Sequence, residues 1–318
     1  MPVPKGPHLE FEQPVVELAM KIEDLLKSSE VTGSDVKGLQ AKKDALQKKI
    51  AAKLTPWNRI ELARRAGRPF TLDYVQHIFT DFVELHGDRR FGDDPAMVTG
   101  LARLGDQSVM IVGQQKGRDT KESIRRNFGM ANPEGYRKAL RCMKLAEKFG
   151  LPVISFIDTP GAFPGLGAEE RGQGEAIALN LREMAVLRTP VLAVVIGEGA
   201  SGGALGIGVA DRILMLENAW YGVISPESCS AILWGDSSKK QELSGTMKIT
   251  ADDLKGLNVI DRIVPEPLGG AHWDPEAMYE TMRAALTEEI ALLRGTKLDS
   301  LIADRAAKYA AMAQFSEK

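Results

Sequence analysis

Residues 191–208 constrain the fold more than any other stretch of this 318-residue chain. Val191-Leu-Ala-Val-Val-Ile-Gly-Glu-Gly-Ala-Ser-Gly-Gly-Ala-Leu-Gly-Ile-Gly208 opens as an apolar, β-branched run, breaks into glycines, and resumes as small residues. The opening reads as a buried strand and the close as a helix. Glycines at such a turn let the backbone come close to a ligand, and the first helical turn presents N–H groups that can hold an oxyanion. The pattern also occurs upstream. Leu151-Pro-Val-Ile-Ser-Phe-Ile157 leads into Asp158-Thr-Pro-Gly-Ala-Phe-Pro-Gly-Leu-Gly167 and then a helical pattern. Two strand–glycine turn–helix units in series predict parallel crossovers and a site built from main-chain amides.

The length allows one large domain or two modest ones. An apolar content of 44% with 26% charged residues is that of a soluble globular chain. A formal charge of −2 argues against general nucleic-acid binding. The two cysteines, Cys142 and Cys229, are far apart and lack Cys or His neighbours, which disfavours a disulfide framework or a self-contained zinc site. The N-terminus lacks the apolar core of a signal peptide, and no apolar run reaches bilayer length. A reducing, cytoplasmic location is expected, with no membrane contact.

Helical spacing runs over residues 14–27, with a break at 28–34 that ends on Ser34 as a cap. A lysine-rich helix follows, whose thin stripe of Leu39, Leu46 and Ile50 suits a helical hairpin, a helix docked on another chain, or a solvated arm. Thr55-Pro56 starts another helix that Gly67 ends, and Thr71 opens one expected to run to Leu85. Strands are expected at 96–104 and 108–114 as a hairpin, then a long basic loop, then a helix from Pro133 to Gly150. After the two glycine units come short strands at 212–216 and 220–224 and a helix at 226–234. A helix opened by Thr250, a last strand at 259–264 and a long helix from Asp274 complete the pattern.

Gly199-Ala-Ser-Gly-Gly203 matches the G-x-S-x-G pattern of a serine nucleophile elbow. Of the four histidines, His8, His77 and His86 lie in the N-terminal region. His272, with Asp261 upstream, is the base in the right chain order. Ser201 equally suits an ordinary helix N-cap. Asp158-Thr-Pro-Gly161 has the D-x-x-G form found in nucleotide hydrolases, but no G-x-x-x-x-G-K-[ST] loop accompanies it, so a strand end and turn is the better reading. Lys116, Arg118, Arg125 and Arg126 are candidates for phosphate or partner contacts, diluted by Asp119 and Glu122. Carboxylates at Glu169, Glu170 and Glu175 sit where a helix dipole favours them and need not form an acid–base pair.

The chain resembles the alpha subunit of bacterial and plastid acetyl-CoA carboxylase carboxyltransferase. The resemblance rests on Gly113-Gln-Gln-Lys-Gly-Arg118, Arg125-Arg-Asn-Phe-Gly-Met130, Ile157-Asp-Thr-Pro-Gly-Ala-Phe-Pro-Gly165, Ile196-Gly-Glu-Gly-Ala-Ser-Gly-Gly-Ala-Leu205, Ile224-Ser-Pro-Glu227 and Pro265-Glu-Pro-Leu-Gly-Gly-Ala-His272. It covers nearly the whole chain, more weakly at 34–53 and after residue 295. It implies an α/β crotonase-type spiral of ββα units at 91–295, an N-terminal helical arm at 1–90 and a helical tail at 296–318. It also implies transfer of a carboxyl group from carboxybiotin on a carrier protein to acetyl-CoA, giving malonyl-CoA for fatty acid synthesis. The implied partners are a beta subunit carrying a zinc ribbon, in an α2β2 tetramer, together with the biotin carboxyl carrier protein and biotin carboxylase.

By position, Gly202 and Gly203 would donate N–H groups to the ureido oxygen of biotin. Gly161, Ala162, Phe163 and Pro164 would wall its pocket, and Gly199 and Ser201 would flank it. The family pattern reads Gly-Glu-Gly-Gly-Ser-Gly-Gly where this chain has Ala200, which requires ordinary φ/ψ at that position. A serine hydrolase using Ser201, and a stand-alone acyl-CoA hydratase or isomerase of the same fold using a carboxylate such as Glu198, are the alternatives.

Overall fold

The computed structural model describes residues 3–4, 6–27 and 33–312. Its first helices, α1 (Gln13–Lys27) and α2 (Gly33–Ala51), pack on each other. Most of the expected break at 28–34 lies outside the described residues. α1 buries Val15, Val16, Ala19 and Ile22. Leu46 and Ile50 of α2 join three of these around Trp273, so the thin stripe docks the arm on the body of the same chain. Lys43 is buried with its ammonium 5.4 Å from the Trp273 ring.

α3 (Pro56–Ala63) starts as expected: Thr55 caps it by accepting the Asn58 N–H, and Pro56 sits in the first turn. α4 (Thr71–Ile78) is shorter than the expected 71–85, because the chain turns extended at Phe79 and forms β1 (Thr80–Glu84). β1 pairs antiparallel with β2 (Met97–Leu104), where Gly100 leaves room for the Phe82 ring. β2 and β3 (Gln107–Gln114) form the expected hairpin.

α5 (Thr120–Arg125) lies inside what reads as a loop, capped by Asp119. Then come α6 (Pro133–Phe149), β4 (Val153–Thr159), α7 (Leu166–Glu170), α8 (Gln173–Ala185), β5 (Val191–Ala200) and the single turn α9 (Ser201–Leu205). β6 (Arg212–Leu216), β7 (Trp220–Gly222), α10 (Pro226–Trp234), α11 (Lys240–Thr246), α12 (Ala251–Gly256), β8 (Arg262–Val264), α13 (Pro275–Arg294) and α14 (Leu298–Ala311) complete the chain. The strands expected at 220–224 and 259–264 are therefore shorter than their apolar runs.

One sheet runs in the order β1-β2-β3-β4-β5-β6-β8, parallel from β3 onward, and β7 pairs with the end of β5. β4 and β5 are buried along their whole length, as parallel strands covered on both faces must be. The tail helix α14 is fastened to the body through Arg305, which donates to Asp211 and to the carbonyls of Met184, Leu187 and Thr189.

Candidate active site

β4 and β5 are parallel neighbours, so both glycine turns leave the same edge of the sheet; Thr159 stands opposite Gly199 there. Crevices beyond the carboxyl ends of parallel strands are where such folds bind ligands. The turns meet at one point. A Cβ on Gly203 would lie 2.4 Å from the Gly161 carbonyl carbon and 2.5 Å from the Ala162 nitrogen, so only glycine allows this approach. Gly161 adopts φ +149, a conformation that favours glycine.

The first turn is held from behind. The Phe163 N–H donates to the Ala131 carbonyl at 3.0 Å, and Gln173 Nε2 donates at 2.9 Å to the carbonyls of both Ala131 and Phe163. Ala162 packs on the core, whereas Pro164 is exposed. Beside the second turn lies an apolar cavity of about 390 Å³, bordered by Ser201, Gly202, Leu205, Tyr221, Leu254 and Tyr309. Gly199 is buried within β5 under the Tyr221 ring. Ala200 has φ −103 and ψ 130, an ordinary extended conformation that accepts its methyl group.

Beneath the turns runs a lattice of buried charge. Lys116 Nζ lies 2.7 Å from both Asp158 and Glu198, and Glu198 also accepts from Arg64 Nε at 2.6 Å. Burial pushes the Glu198 carboxyl up, but Lys116 and Arg64 outweigh it and hold the group at about 2.

A family model describing acetyl co-enzyme A carboxylase carboxyltransferase-like proteins matches residues 8–313. The acetyl-coenzyme A carboxylase carboxyl transferase subunit alpha of Chlorobaculum parvum is 55% identical, over 97% of each chain. The chain belongs to the carboxyltransferase alpha-subunit family. The subunit alpha of Geobacter metallireducens is 54% identical, over 97% of this chain and 98% of that one.

Among solved structures, a chain of a Pseudomonas malonate decarboxylase hetero-tetramer in complex with coenzyme A superposes with a TM-score of 0.60. Its identity is 18%, over 78% of this chain and 96% of that one. Transcarboxylase 12S gives a TM-score of 0.57 at 21% identity over 74% of this chain. Only 45% of the transcarboxylase chain is covered, so this chain spans a little under half its length. These likenesses establish the crotonase-like fold.

The geometry supplies no serine triad. Ser201 is not the cap of α9; Ala200 is, and Ser201 is the first helical residue with φ +56. His272 is buried with Nε2 2.6 Å from Glu12, while Asp261 accepts from the Ile213 N–H and from Lys308. Glu198 is tied to Lys116 and Arg64 rather than left free in the crevice as a hydratase or isomerase carboxylate would be.

The four basic candidates do not form one surface. Lys116 turns inward, as described. Arg118 donates to the Arg68 carbonyl and Asp73 and stacks on Phe70 at 4.0 Å. Arg126 is buried on Glu122 and the Pro95 carbonyl, whereas Arg125 is exposed on α5. Gln114, Tyr136 and Gln173, all packed behind the turns, are not singled out by the sequence. Among the described residues, no cluster of His, Cys, Asp or Glu is arranged to hold a metal, and no helix is long and apolar enough to cross a membrane.

Proposed function

We propose that this chain is the alpha half of an enzyme that moves a carboxyl group from carboxybiotin to acetyl-CoA, giving malonyl-CoA. The observation that carries the reading is the contact of the two glycine turns at Gly203 beside an apolar cavity. The amides of Gly202 and Gly203, in the first turn of α9, would hold the ureido oxygen where negative charge develops as the carboxyl group departs. Loss of one such donor raises a barrier by about 3 kcal/mol. Gly161, Ala162, Phe163 and Pro164 would form the facing wall, with Gly199 and Ser201 at its border. Carboxybiotin, when bound, supplies both the carboxyl group and the ring nitrogen that takes up the methyl proton. This chain then needs no side-chain base, in keeping with the paired states of Glu198 and His272.

The same reading assigns residues 91–295 to the carboxyltransferase domain, with 1–90 as its arm and 296–318 as its tail. Its partners would be a zinc-ribbon beta subunit supplying much of the acetyl-CoA site in an α2β2 tetramer, the biotin carboxyl carrier protein and biotin carboxylase. Arg125, exposed on α5, would be available for phosphate or partner contact. The cytoplasm suits the free thiols of Cys142 and Cys229.

The test is the reverse reaction: malonyl-CoA consumption with biocytin, by this chain alone and mixed with a zinc-ribbon beta subunit. Biotin-dependent consumption is expected only in the mixture. Its absence from a demonstrably assembled mixture would overturn the reading. In the same assay Ser201→Ala is expected to keep most of the turnover, and the wild-type chain to resist fluorophosphonate labelling. Labelling at Ser201 with loss of turnover would restore the hydrolase.

A further inference from the structure

α9 is one helical turn, too short to be stable alone, so its position depends on what grips it. The Gly202 carbonyl accepts the Gly206 N–H at 2.8 Å, inside the turn. The Gly203 carbonyl has no such taker, because the Ile207 N–H goes to Ala204 at 3.3 Å. Side chains fill the role. Gln114 Nε2 donates to the Gly203 oxygen at 2.7 Å, and the Tyr136 hydroxyl donates to the same oxygen at 3.2 Å. Both residues are fully buried.

The other end of the Gln114 amide accepts the Asp158 N–H at 3.1 Å. One side chain thus ties the end of β4, where the first glycine turn begins, to the carbonyl behind the second. Tyr136 is itself anchored: Asn180 Nδ2 donates to its carbonyl at 3.0 Å and to that of Gly206 at 2.9 Å.

We propose that Gln114 and Tyr136 are positioning residues, which set the aim of the α9 amides by gripping the Gly203 carbonyl. The inference rests on the carboxyltransferase reading above. Glycine at 202 and 203 leaves the backbone wide torsional freedom; within the turn the Gly206 N–H holds the Gly202 carbonyl, while the Gly203 carbonyl depends on side chains. The peptide unit is planar, so pinning a carbonyl fixes the whole plane and, through the shared Cα, limits the next. Neither side chain reaches the cavity border; both act from behind it.

The test compares Gln114→Met, which keeps the volume without the donor, and Tyr136→Phe, which keeps the ring without the hydroxyl. Both are assayed in the complete assembly with malonyl-CoA and biocytin, with thermal midpoints recorded alongside. Gln114→Met is expected to lower kcat on the order of 100-fold, as a misplaced reacting group does. Tyr136→Phe should lower it less, and KM for malonyl-CoA should stay unchanged in both. An unchanged kcat in both variants beside an active wild type overturns the inference. So does a loss that simply follows the fraction of folded protein as temperature is varied. An inactive wild-type assembly would instead count against the carboxyltransferase reading itself.

Discussion

Gly203→Ala is expected to lower biotin-dependent turnover by at least about 100-fold, whereas Gly202→Ala keeps the fold and a normal melting temperature. The two glycines are adjacent, yet their surroundings differ. At 203 the new methyl would fall 2.4, 2.5 and 2.9 Å from the carbonyl carbon of Gly161, the nitrogen of Ala162 and the Cα of Gly161. All three are backbone atoms, so no side chain can swing aside and one turn must move. Overpacking of this kind costs about 1–3 kcal/mol in stability, and here it also displaces both walls of the cradle. At 202 the nearest atoms belong to Ile177 at 3.7 Å, an ordinary contact. Thermal melts and kcat for the two variants decide the matter. A Gly203→Ala chain that melts and turns over like wild type would show that the turns are not rigidly opposed.

The elements that carry this site were legible because their chemistry is local. A β-branched apolar run of strand length followed by glycines reads as a buried strand leaving a sheet, and β5 carries the first two glycines, Gly197 and Gly199, before it ends at Ala200. Thr55-Pro56 and Asp274-Pro275 carry their caps in adjacent residues, and both helices start there. The errors arise where one pattern serves two structures. Ile78, Phe82 and Leu85 fall on one face of a helix, yet after Ile78 the chain is captured by the free edge of β2. α11 leaves no sequence signal because it buries only Leu243 and Ser244, too little for a periodic stripe.

Charge partners were the least visible feature. Lys116 lies in a basic loop, but its carboxylate partner Glu198 is 82 residues along the chain, and the Gln114 clamp reaches across 89. Only the folded topology brings such groups together. In sequence, an inward-facing lysine and a phosphate-binding one look the same.

Glu266→Gln is expected to lower stability by about 3–5 kcal/mol, the usual result of stripping one partner from a buried ion pair. Glu266 and Arg68 are both almost fully buried and meet in a two-pronged contact at 2.8 and 2.5 Å. Glu266 also accepts the N–H groups of Asn218 and Ala271, and Arg68 Nε donates to the Ile196 carbonyl at 2.9 Å. The pair therefore joins the segment after α3, the segment after β8 and the strand that enters the second glycine turn. Burial pushes the Glu266 carboxyl up, but Arg68 and the two amides outweigh it and hold the group at about 2.

The sign follows from that depression. The contribution is complete above the ordinary glutamate value of 4.5 and is lost as pH falls toward about 2. Integrated, it is worth about 3 kcal/mol, in line with the cost of losing the charge. Wild-type melting temperature should accordingly drop across that acid range, and Glu266→Gln should melt lower at neutral pH and flatten that part of the fall. Replacing both partners, Arg68→Met with Glu266→Leu, should recover much of the loss, because no unpaired charge then remains buried. Melting curves of the three chains between neutral pH and about pH 2 provide the measurement. A Glu266→Gln chain as stable as wild type at neutral pH would mean that water reaches Arg68 and that the pair does not anchor the strand.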